Sequence, residues 1–213
     1  MKNIILLIIL FALLSSNANS QTGWVQQSSG TGYTLNSVFF LDSNIGYTVG
    51  DTTIGSLSAY IILKTTNGGL NWINQTPPFP SNLNALKSVF FLDAITGWAC
   101  GGGNTSNLVF VIKTTNGGAN WISQYSGTTS DLNSVSFIGV NTGTVVGVGG
   151  TILHTTNGGI NWIRQYSGTS SEIYSVYFSA ANTGTVVGEY GTILRKSQFH
   201  IFLWHSGRSQ RPA

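Results

Sequence analysis

The chain has 213 residues, 41% of them hydrophobic, 12% aromatic and only 7% charged, with 27 glycines and a formal net charge of +3. This is too apolar and too aromatic for intrinsic disorder, and so poor in charge that solubility falls to Ser, Thr, Asn, Gln and turn backbone. The single long apolar run, Ile4 to Leu14, is shorter than the roughly 20 residues a spanning helix needs, which excludes a polytopic membrane protein.

At the N-terminus, Lys2, the run from Ile4 to Leu14 and the small residues Ala18 and Ser20 read as a secretory leader cleaved after Ser20. Residues 1–20 are therefore expected to be a signal peptide, leaving no transmembrane span after cleavage and a secreted or periplasmic product. Cys100 is the single cysteine, so no intrachain disulfide can form and stability must come from a packed core.

A repeat fills the next 175 residues, 21–195. The octet Thr65-Thr66-Asn67-Gly68-Gly69-Leu70-Asn71-Trp72 recurs from Thr114 to Trp121 and from Thr155 to Trp162, with only its sixth residue varying, as Leu70, Ala119 and Ile160. Its asparagines lie 49 and then 41 residues apart, a period that signals propellers, solenoids or arrays. The longer units contain extra loop residues around Thr53 to Ser58 and Asn104 to Asn107.

Ahead of each octet comes a lead motif, at Ser37-Val38-Phe39-Phe40, Ser88-Val89-Phe90-Phe91, Ser134-Val135-Ser136-Phe137 and Ser175-Val176-Tyr177-Phe178. Two glycines follow each lead in register, Gly46 and Gly50, Gly97 and Gly101, Gly143 and Gly147, Gly184 and Gly188. Cys100 falls in the position held by Val49, Val146 and Val187, that of a small buried hydrophobe.

Between these punctuators lie short runs of Val, Ile, Phe, Tyr and Thr with no helical period, so each unit reads as four strands. In the first unit they fall near Leu35 to Leu41, Gly46 to Gly50, Tyr60 to Thr65 and Asn71 to Gln75, with Asn67-Gly68-Gly69 as the tight turn between the last two. Four-stranded antiparallel units at this period are propeller blades, and about four are present.

Trp24-Val25-Gln26-Gln27 matches Trp72-Ile73-Asn74-Gln75, so an outer strand precedes its own blade. The last unit, Ile173 to Arg195, supplies three inner strands that the Trp24 strand is expected to complete. After Arg195 neither the Thr pair nor the Asn-Gly-Gly turn returns, and residues 196–213 are read as an aberrant or disordered tail, with a divergent last strand as the alternative.

The pattern Thr65, Asn67, Gly69, Trp72, repeated at Thr114, Asn116, Gly118, Trp121 and at Thr155, Asn157, Gly159, Trp162, resembles the Asp-box or BNR repeat, with asparagine in place of aspartate. With the lead from Val38 to Gly50 and from Val89 to Gly101, the chain resembles the photosystem II stability and assembly factor family. That resemblance implies a β-propeller, seven-bladed in the family, in which the box is a peripheral hairpin turn whose acidic residue binds turn amides and whose Trp packs between strands. It also implies a non-catalytic binding or assembly scaffold, without cofactor.

Sialidases share the Asp-box, so a glycoside hydrolase-type propeller is an alternative, as is a carbohydrate-binding module. Of the four arginines, Arg195, Arg208 and Arg211 lie at or beyond the last repeat, so an arginine triad for a substrate carboxylate cannot be assembled. The six acids, Asp42, Asp51, Asp93, Asp131, Glu172 and Glu189, all sit at repeating loop positions, which argues against a catalytic pair. His154, His200 and His205 show no metal-ligand spacing.

One constellation reads as a binding site. Lys64, Lys113, His154 and Arg195 each occupy the position before the Thr pair or its equivalent, so a propeller would hold them at one radius as a partial cationic ring. Such a ring suits a protein partner with an acidic surface or a polyanionic glycan on one face. The alternative for these side chains is to end each third strand by reaching to solvent. Trp24, Trp72, Trp121 and Trp162 are read as packing residues rather than sugar platforms. Four blades in place of the family's seven imply a fragment of a larger propeller, a small propeller closed on itself, or assembly between chains, and an open stack would leave sheet faces and edges that invite self-association. Residues 21–194 keep only Lys64, Lys87, Lys113 and Arg164 against six acids, so the basic balance belongs to the chain ends and nucleic acid is not expected as a partner.

Overall fold

The structure, a computed structural model, describes residues 23–54, 57–77, 85–102 and 109–197. The expected leader at 1–20 and the residues after Ser197 lie outside the described residues, as do Asn104 to Asn107.

Four antiparallel sheets follow one another along the chain. The first holds β1 (Thr34–Phe40), β2 (Gly46–Ile54), β3 (Leu57–Thr65) and β4 (Ile73–Asn74). The second holds β5 (Leu86–Phe91), β6 (Gly97–Gly101), β7 (Phe110–Thr114) and β8 (Ile122–Tyr125). The third holds β9 (Leu132–Phe137), β10 (Gly143–Gly147), β11 (Thr151–Thr155) and β12 (Ile163–Arg164). The fourth has three strands, β13 (Ile173–Ala180), β14 (Thr183–Gly188) and β15 (Ile193–Lys196). In every sheet the strands pair in sequence order, the meander of a propeller blade.

The two glycines after each lead are fixed by close approach. A Cβ on Gly143 would stand 2.4 Å from the Phe137 ring, and one on Gly147 would stand 1.9 Å from the carbonyl oxygen of Asp131. The second contact arises where the first strand bulges, as β9 does opposite Gly147. Gly97 and Gly101 repeat both approaches in the second blade.

The core lies between blades, not within one. Tyr47, Val49 and Ile62 on the outgoing face of blade 1 meet Leu86, Val89 and Phe91 on the incoming face of blade 2. Trp98, Cys100 and Val111 likewise meet Leu132, Val135 and Phe137. Val146 and Ile152 meet Ile173, Val176 and Val186. Cys100 is fully buried in the valine position, as its register implies. One polar bond recurs at all three junctions: the backbone N–H of Val89, Val135 and Val176 donates to the hydroxyl of Ser37, Ser88 and Ser134 at 3.3, 3.3 and 3.2 Å.

Among the described residues the arc is open at both ends. Val38 is 62% exposed while its equivalents Val89, Val135 and Val176 are 5%, 4% and 6%. At the other end Val187 is 42% exposed against 0% for Val49 and Val146, and Ile193 is 69% exposed against 0% for Ile62.

Two expectations are corrected. The extra residues around Thr53 to Ser58 lengthen a hairpin instead of forming a loop, since β2 and β3 stay paired through Thr52 with Ala59, Thr53 with Ser58 and Ile54 with Leu57. The Trp24 segment does not complete blade 4: it forms no strand, Trp24 is fully exposed, and β15 ends its sheet. The segment instead sits on blade 1 as an outer strand of a preceding blade would. Gln27 Nε2 donates to Gly68 O at 3.1 Å, just as Gln124 Nε2 of blade 2 donates to Gly158 O of blade 3 at 2.9 Å. The connector repeats too, with Ser29, Ser126 and Ser167 hydroxyls bonding the Thr31, Thr128 and Thr169 carbonyls.

Candidate functional site

The octet turns are built alike three times. Thr114 Oγ1, almost fully buried, accepts the N–H of Gly118 at 2.9 Å and of Asn116 at 3.3 Å, and donates to Asn116 Oδ1 at 3.1 Å. Asn116 Oδ1 then accepts the N–H of Asn120 at 2.8 Å. Thr65 with Asn67 and Gly69, and Thr155 with Asn157 and Gly159, repeat the set. Asparagine supplies the carbonyl oxygen that an aspartate would, so a neutral side chain closes the turn. Both glycines take positive φ, 66° at Gly117 and 87° at Gly118, a conformation that a Cβ would strain.

Each octet tryptophan packs edge-on against the lead phenylalanine of its own blade: Trp72 on Phe40 at 6.0 Å, Trp121 on Phe91 at 5.9 Å and Trp162 on Phe137 at 6.0 Å. These three side chains are therefore packing elements.

Lys64, Lys113, His154 and Arg195 all lie on third strands at one register position, opposite Tyr47, Trp98, Thr144 and Thr185 of the second strands. Lys64 Nζ donates to Gly117 O of the following octet turn at 2.8 Å, the same oxygen that Tyr47 OH reaches at 3.0 Å, and lies 5.3 Å from the Tyr47 ring centre. Tyr47 in turn stacks on Phe91 at 3.6 Å, and its burial pushes the phenol pKa up to about 12. Lys113 makes the equivalent clasp on blade 3. Its Nζ donates to Gly158 O at 3.3 Å and lies 5.1 Å from the Trp98 ring centre, while Trp98 stacks on Phe137 at 3.6 Å. Burial lowers the Lys113 pKa from its ordinary value.

His154 has no octet turn ahead of it and turns inward to its own blade, with Nδ1 at 3.0 Å from Thr144 Oγ1. Burial lowers its pKa, and the charge of Lys196 adds to that. Arg195, on the open face of blade 4, is the one exposed member of the four. The structure thus puts these residues in one register, as the spacing implies, and gives two of them a junction partner that the sequence did not name.

The acids are engaged in turns and junctions. Asp42 caps the N–H groups of Asn44 and Ile45 and Asp93 those of Ile95 and Thr96, which lowers both carboxyl pKa values. Asp131 pairs with Lys87 of the preceding blade at 3.1 Å. Asp51 and Glu172 accept from Asn36 and Asn133, and Glu189 from Tyr174. Among the described residues no three His, Cys, Asp or Glu side chains come together as metal ligands would.

A surface that sequence reading missed lies on the outer strands and octet turns. Leu70 and Ile73, Ile122 and Tyr125, and Ile160, Ile163 and Tyr166 are all exposed. The signal was present: the Ile after each octet Trp alternates with it, so if Trp points inward the Ile must point to the rim, where no neighbouring blade covers it.

No protein-family profile matches the chain, and no curated protein matches it. Among solved structures it is similar to YCF48 from Cyanidioschyzon merolae, with TM-score 0.58 and 18% identity over 84% of this chain and 56% of that one. It is similar also to the computationally designed Ika4 protein, with TM-score 0.57 and 16% identity over 83% of this chain and 99% of that one. The chain is a β-propeller of about four blades. It spans little more than half the length of the natural neighbour, and at these identities the likeness carries the fold alone. An ancestral GH74 enzyme aligns more loosely, at TM-score 0.44 and 16% identity over 82% of this chain and 32% of that one.

Proposed function

We propose that the chain is an exported, non-catalytic propeller scaffold that binds a protein partner along its rim. The observation that carries this reading is the recurrent exposure of large apolar side chains on successive outer strands, Ile73, Ile122 and Ile163, with Tyr125 and Tyr166 beside the last two. Isolated exposed apolar residues are ordinary, but one repeated at the same place in three blades presents an organised surface that water alone does not favour. The engagement of all six acids in turns and junctions supports the non-catalytic part.

A second reading keeps the basic position. The shared register of Lys64, Lys113, His154 and Arg195 supports docking of an acidic protein or polyanionic glycan at the edge where the clasps lie. The resemblance to photosystem II assembly factors implies a role in photosystem assembly, an inference from fold-level analogy.

The test is binding and turnover together. Partners of the exported chain should be retained by the native protein and lost by Ile122→Asp with Ile163→Asp, at an unchanged unfolding midpoint. Loss instead in Arg195→Glu, the exposed member of the basic register, at an unchanged unfolding midpoint and with the rim variant still binding, selects the second reading. Hydrolysis of sialosides or plant glycans by the purified chain refutes the scaffold.

A further inference from the structure

The two exposed ends of the arc are the two halves of an interface the chain already makes three times. We propose that a second copy of the chain docks blade 1 against blade 4 of the first, and blade 4 against its blade 1, closing an eight-bladed ring about a twofold axis.

Each component of the repeated junction has its halves at opposite ends. The apolar layer needs an incoming Leu, Val and Phe, and blade 1 offers Leu35, Val38 and Phe40, all exposed. It needs an outgoing second-strand and third-strand hydrophobe, and blade 4 offers Val187 and Ile193, also exposed. The recurrent polar bond needs a valine N–H and a serine hydroxyl, here Val38 and Ser175, in the same register as Val89 with Ser37. The clasp needs a basic third-strand residue and an octet-turn carbonyl. Arg195 stands where Lys64 and Lys113 stand, and Gly68 O stands where Gly117 O and Gly158 O do.

The N-terminal segment explains why another copy fits better than bare closure of faces. Among the described residues blade 4 ends at β15, and the sequence of residues 198–213 contains no octet like those of the first three blades. Residues Trp24 to Gln27 have the sequence of that fourth strand and are already held on blade 1 through Gln27 and Gly68. In blade 1, Lys64 pairs with Ile73 and Leu63 with Asn74. By the same register Arg195 of one copy pairs with Val25 of the other, and Leu194 with Gln26. Both the exposed face and the edge of β15 are then covered in one step, which removes the two liabilities an open arc carries. Eight blades lie within the range that propellers close with, and a twofold axis is the commonest closure for identical chains.

The test is the solution mass of the full chain by light scattering or sedimentation, with two single-face variants. The native chain is expected at twice the chain mass. Val38→Asp and Val187→Asp each place a charge in both junctions of such a ring, and each should weaken association by roughly a hundredfold or more while leaving the fold intact. An equimolar mixture of the two should recover the double mass, because one of its two junctions then joins an unaltered Val187 to an unaltered Val38. A native chain of single mass overturns the proposal, including the case in which four blades close on themselves. So does a mixture of the two folded variants that stays at single mass, or a ladder of larger oligomers.

Discussion

Replacing Thr114 by valine tests what the octet turn is for. The two side chains are nearly the same shape, so packing changes little, but the hydroxyl that accepts the Gly118 N–H at 2.9 Å disappears. Gly118 is buried, and its N–H then has neither the threonine nor water, an omission that costs about 1–3 kcal/mol. Asn116 is exposed, so its N–H and side chain re-form bonds with water and add little. Thr114→Ser keeps the oxygen and loses one methyl, about 0.8 kcal/mol. The expected order of stability is therefore native, then serine, then valine, with the valine variant down by about 2 kcal/mol. Urea unfolding of each variant, with the slope unchanged, reads the difference directly. Thr155→Val should match it, because Thr155 makes the same three bonds. A valine variant as stable as the serine variant would show that the turn is held by side-chain packing and refute the hydrogen-bond reasoning.

Three other perturbations follow from the junctions. Gly147→Ala forces a Cβ to 1.9 Å from the Asp131 carbonyl oxygen, a backbone contact that cannot yield cheaply, so this single methyl should cost more than about 3 kcal/mol or abolish soluble expression. Cys100 is fully buried and its thiol pKa is driven well above the usual range by desolvation, so a thiol reagent at mild alkaline pH should label it only as the chain unfolds; rapid labelling of the folded chain would contradict the core assignment. His154 titrates lower in the fold than the ordinary value of 6.5, so below that pH the unfolded chain binds more protons and stability falls as pH falls. His154→Gln should lose less stability than the native chain between about pH 7 and 5 in paired denaturation curves, and equal losses would refute the assignment.

Much of the fold could be read from spacing because each junction reuses the same positions. Val38 and its three equivalents announced strands, the glycine pairs bounded the second strand of each blade, and the octet announced a hairpin turn whose threonine bonds only the structure shows. The Trp24 segment was recognisable as an outer strand for a similar reason. Its place on blade 1 follows from Gln27, but a strand also needs an edge to pair with, and no sequence equivalence says whether β15 comes within reach. The basic position was half legible. Register put Lys64 and Lys113 at the same position of the third strand of their blades, yet the oxygens they reach belong to turns more than 40 residues away. The rim residues are legible only through tryptophan, whose inward packing is what turns its neighbour outward.

The change from lysine to histidine at residue 154 has a dynamic consequence. Blades 1 and 2 grip the next blade through a long cation laid across an aromatic ring, whereas Thr144 and His154 bond to each other and reach no turn beyond. Blade 4 is then held by the Val146 and Ile173 layer and by Asn133 and Ser134, without a clasp at its outer end. In amide hydrogen exchange of the unassociated chain, as in Val187→Asp, the protection of β13 to β15 should be the first to fail, with β5 to β11 opening later as one cooperative block, so that the single arc frays from one end, as a zipper does.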